Sequence, residues 1–387
     1  MTTYRAGIIG AGFIAVRGHI PAYQRLPNVR LEAICDVDGQ RAASVAAQCG
    51  IPRVFTDYRT MLQQADLNLV SVCGPNVLHA PMTIEALEAC CHVICEKPMA
   101  VTPAQAEDMV AAAERTGRGL TVGLHLRYEP HTVTLKALAE AGVLGKVYYA
   151  RATMWRRSGI PGYGSWFTNR DLAGAGTVMD IGVHALDLAL HILGFPQPLA
   201  VSAITGAYFG PQREGLGWWG SDICEGPARC DVEDNAVAFI RLADGAALTL
   251  EVSWASYARP EERYQFLGTE GGADIAPEMY GREQRLRLYR QEHGQAVDII
   301  PELPRYSNSG QDRLIADFLG RLERGEPPLI TPRQQLTVVR LLSGILSAAT
   351  GREVRLDAPL ERLCRIARTG HVAPEVARVA WCVFRLA

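Results

Sequence analysis

The sequence predicts an α/β chain in two parts. An N-terminal, doubly wound parallel sheet occupies residues 1–125 and a C-terminal α+β domain with a large mixed or antiparallel sheet occupies 126–357, followed by a helical tail of unknown role over 358–387. Three observations carry this prediction. Strand and helix patterns alternate as far as Gly123, a glycine-rich turn closes the first strand, and after Arg127 strands follow one another without intervening helices. At 387 residues the chain also exceeds the size at which one core keeps growing.

In order, the first part places strands at Ala6–Gly10, Leu31–Asp36, Leu67–Cys73, His92–Glu96 and Gly119–Gly123. Their nearly continuous apolar runs fit strands covered on both faces. Helical patterns lie between them at Gln40–Cys49, Pro81–Ala89 and Pro103–Thr116. The second part reads as a helix (His131–Ala141), a strand (Val147–Trp155), a long loop, an apolar helix from Val178 to Leu193, and strands at Val201–Phe209, Asn235–Leu242, Ala246–Ser256 and Arg285–Tyr289. Helices close it at Gln311–Arg324 and from Thr331, where Pro332 and Gln334 complete a capping box.

Composition narrows the function classes. Apolar residues make up 48% and charged residues 21%, with a net charge of −2 spread along the chain, so neither nucleic acid nor an anionic membrane is an expected partner. No leader or membrane-spanning run is read, and a cytoplasmic protein is expected. Ten cysteines include no Cys-x-x-Cys pair, and most sit in apolar runs, as buried free thiols do.

Gly10-Ala11-Gly12-Phe13-Ile14-Ala15 follows the first strand and opens a helix, giving the G-x-G-x-x-A form of a dinucleotide fingerprint. The first glycine permits the turn, the second lets a pyrophosphate approach the backbone, and the helix N-terminus favours the phosphates. Asp36 ends the second strand about two dozen residues on, where a carboxylate accepts from the adenosine ribose. This makes the first part a Rossmann domain with Gly10, Gly12, Phe13, Ile14 and Asp36 at the cofactor. An acid also repels a 2′-phosphate, and no basic residue follows before Arg41, so NAD is expected over NADP.

On the apolar helix, Asp180, His184, Asp187 and His191 recur at i, i+4, i+7 and i+11, forming one polar stripe without Lys or Glu. Such a face points at a cavity or at water, with Asp180 and His184 the site candidates and His191 read as a structural histidine. Asp and His at this spacing can ligate zinc or iron, but hydride transfer from a hydroxyl-bearing carbon to NAD needs only a base for the hydroxyl proton, so no metal site is expected. Imidazole titrates near neutrality and suits His184 to that proton transfer, with Asp180 one turn earlier. Lys97 leaves the C-terminal edge of a parallel strand, where open sheets bind ligands, and its ammonium would stabilise a developing alkoxide.

Glu96-Lys97-Pro98, Pro75-Asn76-Val77-Leu78-His79 before it, and Gly174-Ala175-Gly176-Thr177-Val178-Met179-Asp180-Ile181-Gly182-Val183-His184-Ala185-Leu186-Asp187 resemble, in order, the glucose-fructose oxidoreductase / inositol dehydrogenase (Gfo/Idh/MocA) family. Over roughly residues 5 to 356 the resemblance implies an NAD-dependent sugar or polyol dehydrogenase. It implies Lys97, Asp180 and His184 as the catalytic set, and Pro75, Asn76, His79, Glu96 and Lys97 at the cofactor. It also implies a homodimer or homotetramer formed through the C-terminal sheet. Two further activities share the first oxidation or the fold: glycoside cleavage through transient ring oxidation, and a non-enzymatic nicotinamide sensor. For the substrate, a sugar or cyclic polyol, the candidate contacts are Arg127 and Tyr128 at the domain junction and Arg156, Tyr163 and Trp166 in the glycine-rich loop, beside Asp180 and His184. Gly215–Arg229, with Trp218 and Trp219, is a candidate rim or subunit contact.

Overall fold

A computed structural model describes residues 2–218, 230–276 and 285–357. The chain divides into two compact units, one holding residues up to His125 together with Gln311–Leu336, the other holding Leu126–Gly310 and 337–357. The predicted tail over 358–387 and Trp219 lie outside the described residues.

The first unit is built on β1 (Tyr4–Ile9), β2 (Val29–Cys35), β3 (Arg53–Phe55), β4 (Leu69–Val72), β5 (His92–Cys95) and β6 (Leu120–Val122). All pair in parallel in the order β3-β2-β1-β4-β5-β6. That order reverses between β1 and β4, and the crevice outside the strand C-termini at such a reversal is where these sheets take ligands. Cys35, Cys73, Cys91 and Cys95 are buried free thiols, while Cys90 is exposed.

One predicted boundary needs correction. Segment 311–336 packs on the first unit, not the second. Its apolar stripe, with Leu314, Ile315, Phe318 and Leu319, is buried, and glycine at 119 leaves room for Phe318 and Leu322, which a Cβ would meet at 3.2 and 2.5 Å. Tyr4 donates to the Leu319 carbonyl (3.4 Å), Thr121 donates to the Ile330 carbonyl (3.1 Å), and Arg25 pairs with Asp312 (2.6 Å). The capping box forms as predicted, Gln334 N–H donating to Thr331 Oγ1 at 3.2 Å and Thr331 N–H to Gln334 Oε1 at 3.4 Å.

In the second unit, β7 (Val147–Trp155), β8 (Pro198–Gly206), β9 (Asn235–Leu242), β10 (Ala247–Ser253), β11 (Glu261–Gly268), β12 (Gly272–Ala276), β13 (Arg285–Glu292), β14 (Gln295–Ile299) and β15 (Val354–Arg355) form one sheet. Its order is β14-β13-β12-β11-β7-β10-β9-β8-β15, antiparallel except for the β7/β10 pair, hence mixed. Helices Pro130–Glu140 and Val183–Leu193 pack on one face. The other face exposes Ile204, Val237, Phe239, Leu267 and Tyr289. The run Arg170–Leu193 is, contrary to expectation, long and apolar enough to cross a membrane by composition, but 83% of its apolar window is buried against this sheet and its neighbours.

Candidate active site

At the end of β1, Gly10 adopts φ +96° and a Cβ there would meet the Cys73 carbonyl oxygen at 2.7 Å, so the protein itself demands glycine. Gly12 differs: a Cβ there would meet nothing within 4 Å. Its missing side chain leaves an open cradle over the turn, at the place where a pyrophosphate would approach. Asp36 braces the same turn, its Oδ2 accepting from Ala11 N–H (2.8 Å) and its Oδ1 from Asp38 N–H (3.0 Å). Each carboxylate oxygen keeps a second lone pair for a ribose hydroxyl. Asp38 caps the next helix and pairs with Arg41 at 3.1 Å, while Arg41 stands 3.8 Å from Asp36. Phe13 is exposed and Ile14 partly so. These residues fit a dinucleotide. Gly12→Val is therefore expected to weaken NAD binding at least about tenfold, through a steric clash with the ligand alone. Titration calorimetry checks the affinity, and an unchanged Tm shows that the fold tolerates the side chain.

After β5 the chain turns through Glu96, Lys97 and a cis Lys97–Pro98 bond. Glu96 is buried. Its Oε1 lies 2.9 Å from His19 Nε2 and its Oε2 accepts from Lys97 N–H at 3.3 Å. Burial pushes this carboxyl up, but the His19 hydrogen bond and the nearby charges hold it below its ordinary range. His79 is buried too, with Nδ1 2.6 Å from the Pro98 carbonyl and Nε2 2.9 Å from the Gly74 carbonyl. Burial lowers its pKa, and a neutral ring donates to one of these carbonyls. Both side chains thus bond to the protein itself and shape the loops after β4 and β5. Asn76 is buried, whereas Pro75 and Lys97 are partly exposed.

In the second unit the helix carrying the polar stripe opens with a π turn, Val178–Gly182, before Val183–Leu193. Its start is clamped by Glu233, whose buried carboxyl accepts from Gly176 N–H (2.9 Å) and Val178 N–H (3.0 Å). A Cβ at 176 would meet the Glu233 carbonyl oxygen at 2.0 Å, which explains that glycine. Burial raises the Glu233 pKa. Asp180 is 13% exposed; Trp254 Nε1–H donates to its Oδ2 at 2.9 Å and Arg156 Nη1 stands 4.0 Å away. His184, one turn on, is also partly exposed.

The stripe then turns inward. Asp187 and His191 are buried, and Asp187 accepts from Arg127 Nε (2.9 Å) and Nη2 (2.6 Å), both side chains being essentially inaccessible. His191 is pushed down to about 3 by burial and the Arg127 charge. Arg127 is accordingly corrected from a substrate contact to half of an internal ion pair. Tyr163 is corrected likewise, since its ring is buried and its hydroxyl donates to the Glu214 carbonyl at 2.5 Å. Tyr128 is buried as well. Trp166 stays partly exposed, stacked on Phe167 with ring centroids 3.7 Å apart. Of the loop candidates, Arg156 stands 4.0 Å from Asp180. Trp254 and Glu233 escaped the sequence reading because each acts on the helix from a distant strand end.

The chain matches a family described as an oxidoreductase family with an NAD-binding Rossmann fold over residues 4–124, and a GFO/IDH/MocA C-terminal domain over 132–274. D-glucoside 3-dehydrogenase of Escherichia coli (strain K12) is 34% identical over 358 residues, covering 91% of this chain and 97% of that protein. Levoglucosan dehydrogenase of Pseudarthrobacter phenanthrenivorans is 30% identical over 289 residues, covering 70% and 73%. The crystal structure of aldose-aldose oxidoreductase from Caulobacter crescentus, complexed with glycerol, superposes with a TM-score of 0.77 at 27% identity, covering 91% of this chain and 99% of that one.

Proposed function

Because the chain belongs to the GFO/IDH/MocA oxidoreductase family, with an NAD-binding Rossmann domain, we propose that it is a sugar dehydrogenase oxidising a secondary hydroxyl of a pyranoside or cyclic polyol. The observation that carries this reading is Asp180, fixed by the Trp254 indole at 2.9 Å and left partly open one turn before His184. The names of the relatives, a glucoside and a levoglucosan dehydrogenase, support the substrate class.

Bound NAD supplies the acceptor for the hydride that the carbinol carbon gives up. His184 takes the hydroxyl proton as the carbonyl forms. Asp180, unable to swing while the indole holds it, orients the hydroxyl or the imidazole. The Lys97 ammonium stabilises negative charge on the oxygen. Incubation with NAD and a panel of pyranosides and inositols is expected to show NADH absorbance growing with one class of sugar. Aglycone release without net NADH, or stoichiometric NAD binding with no turnover, overturns the reading.

We further propose self-association through the outward sheet face that exposes Ile204, Val237 and Phe239, since an apolar patch on a single sheet face is commonly covered. Light scattering is expected to give a dimer or tetramer mass, and a Val237→Lys/Phe239→Lys variant the monomer mass; an unchanged mass in that variant removes this face from the assembly.

A further inference from the structure

The strand ends next to Asp180 hold a carboxyl that the proposed mechanism leaves unused. Side chains two residues apart along a strand share a face. In register, Met154 of β7 opposes Glu262 of β11 and Val252 of β10 lies beside it. Ala150, Ala152, Met154, Tyr264 and Phe266 show which face this is, for all are buried under the helices. Continuing the same alternation past the ends of β7 and β10 brings Arg156 and Trp254 to that face. Three adjacent strand ends therefore deliver Arg156, Trp254 and Glu262 to the side of the sheet on which Asp180 sits. Two of the three are seen at Asp180, at 4.0 and 2.9 Å.

Glu262 is the third. Its carboxyl is desolvated and pushed up to about 7, with Arg156 the charge that opposes the shift, and no side-chain hydrogen bond engages it among the described residues. Glu262 is half-buried at the start of β11. This partial exposure lets a ligand reach its oxygens. Glycine at 159 makes the neighbouring space: a Cβ there would meet Arg156 Cδ at 2.4 Å, so the Arg156 side chain packs against the loop where its charge acts on both carboxyls.

We propose that Glu262, together with Arg156, is a specificity-determining residue that binds a ring hydroxyl of the substrate other than the one oxidised. The inference rests on the sugar dehydrogenase reading and deepens it. A hydroxyl offers one donor and two acceptor lone pairs, matching a carboxyl on one side and a guanidinium on the other. Binding then gives the Glu262 carboxyl a hydrogen-bond partner that no described side chain supplies.

The test uses the full chain with NAD and a pyranoside it oxidises, alongside the monodeoxy analogues of that sugar. Absence of turnover by the unaltered protein would sink the dehydrogenase reading, before Glu262 is touched. Given turnover, Glu262→Gln is expected to raise KM for the parent sugar about 10- to 100-fold, with kcat within about threefold. That penalty is expected to vanish for the one analogue lacking the contacted hydroxyl. A penalty equal for all analogues indicates a structural role and overturns the proposal, as does an unchanged KM. Should Glu262→Gln fail to fold, Glu262→Asp keeps the carboxyl but withdraws it, and the same single-analogue pattern is required of it.

Discussion

Replacing His184 by alanine is expected to lower kcat by about a hundredfold to ten-thousandfold, the range spanned by the loss of a positioned acid or base. The other members of the stripe are already engaged. Asp180 is already an acceptor for the Trp254 indole and faces the Arg156 guanidinium, so its oxygens are held to orient, not to carry the proton onward. Asp187 and His191, the other members of the stripe, are buried. The affinity for NAD should hold, because Gly12, Asp36 and the loops around them belong to the first unit, and KM should change far less than kcat. Single-turnover measurement of NADH formation separates the chemical step from product release. A rate within threefold of the unaltered protein would remove His184 from the mechanism. Lys97→Ala should fall by a comparable factor, for it removes charge stabilisation in place of proton transfer.

How the sequence conveys this site, and where it stops, follows from what sets each feature. The dinucleotide turn is legible because its requirements are local: Gly10 must hold a positive φ and Gly12 must leave space, and both needs are written in residue type. The alternation of strands and helices up to β6 is equally local. The polar stripe is half legible. Its spacing identifies one helix face, but only the residues packed across it decide which part of the face is open, and Arg127 reaches Asp187 from 60 residues away in sequence. Trp254 and Glu262 are legible only with the register of β7, β10 and β11 in hand, since nothing in their local sequence says that those strands adjoin. β3 spans three residues, Arg53–Phe55, too few for a periodic signal. β11 begins Glu-Glu-Arg, which reads as solvated. Segment 311–336 shows amphipathic helices clearly, yet an apolar stripe does not name the layer it will cover.

The second large effect tests the Arg127 correction. Asp187→Ala would leave the Arg127 guanidinium buried, with both of its carboxylate hydrogen bonds gone, next to a neutral His191 that burial keeps from sharing the charge. The ring of Phe195, 4.8 Å from the guanidinium, offsets only part of that loss. Breaking a buried pair by removing one partner costs about 3–5 kcal/mol, which for a unit of this size lowers Tm by roughly 6 to 20 °C. Calorimetry on the full chain reads the shift directly. The double replacement Arg127→Met/Asp187→Leu removes both charges while keeping volume, and is expected to recover most of the lost stability. It also separates the two roles open to Arg127. If the guanidinium only seals the interior, the double variant is stable and oxidises its sugar with kcat/KM little changed. If it binds substrate, stability returns while kcat/KM falls by tenfold or more, and the internal assignment is then wrong. A Tm within about 2 °C of the unaltered protein in Asp187→Ala alone would mean that water or another group reaches the guanidinium, and would undo the correction by itself.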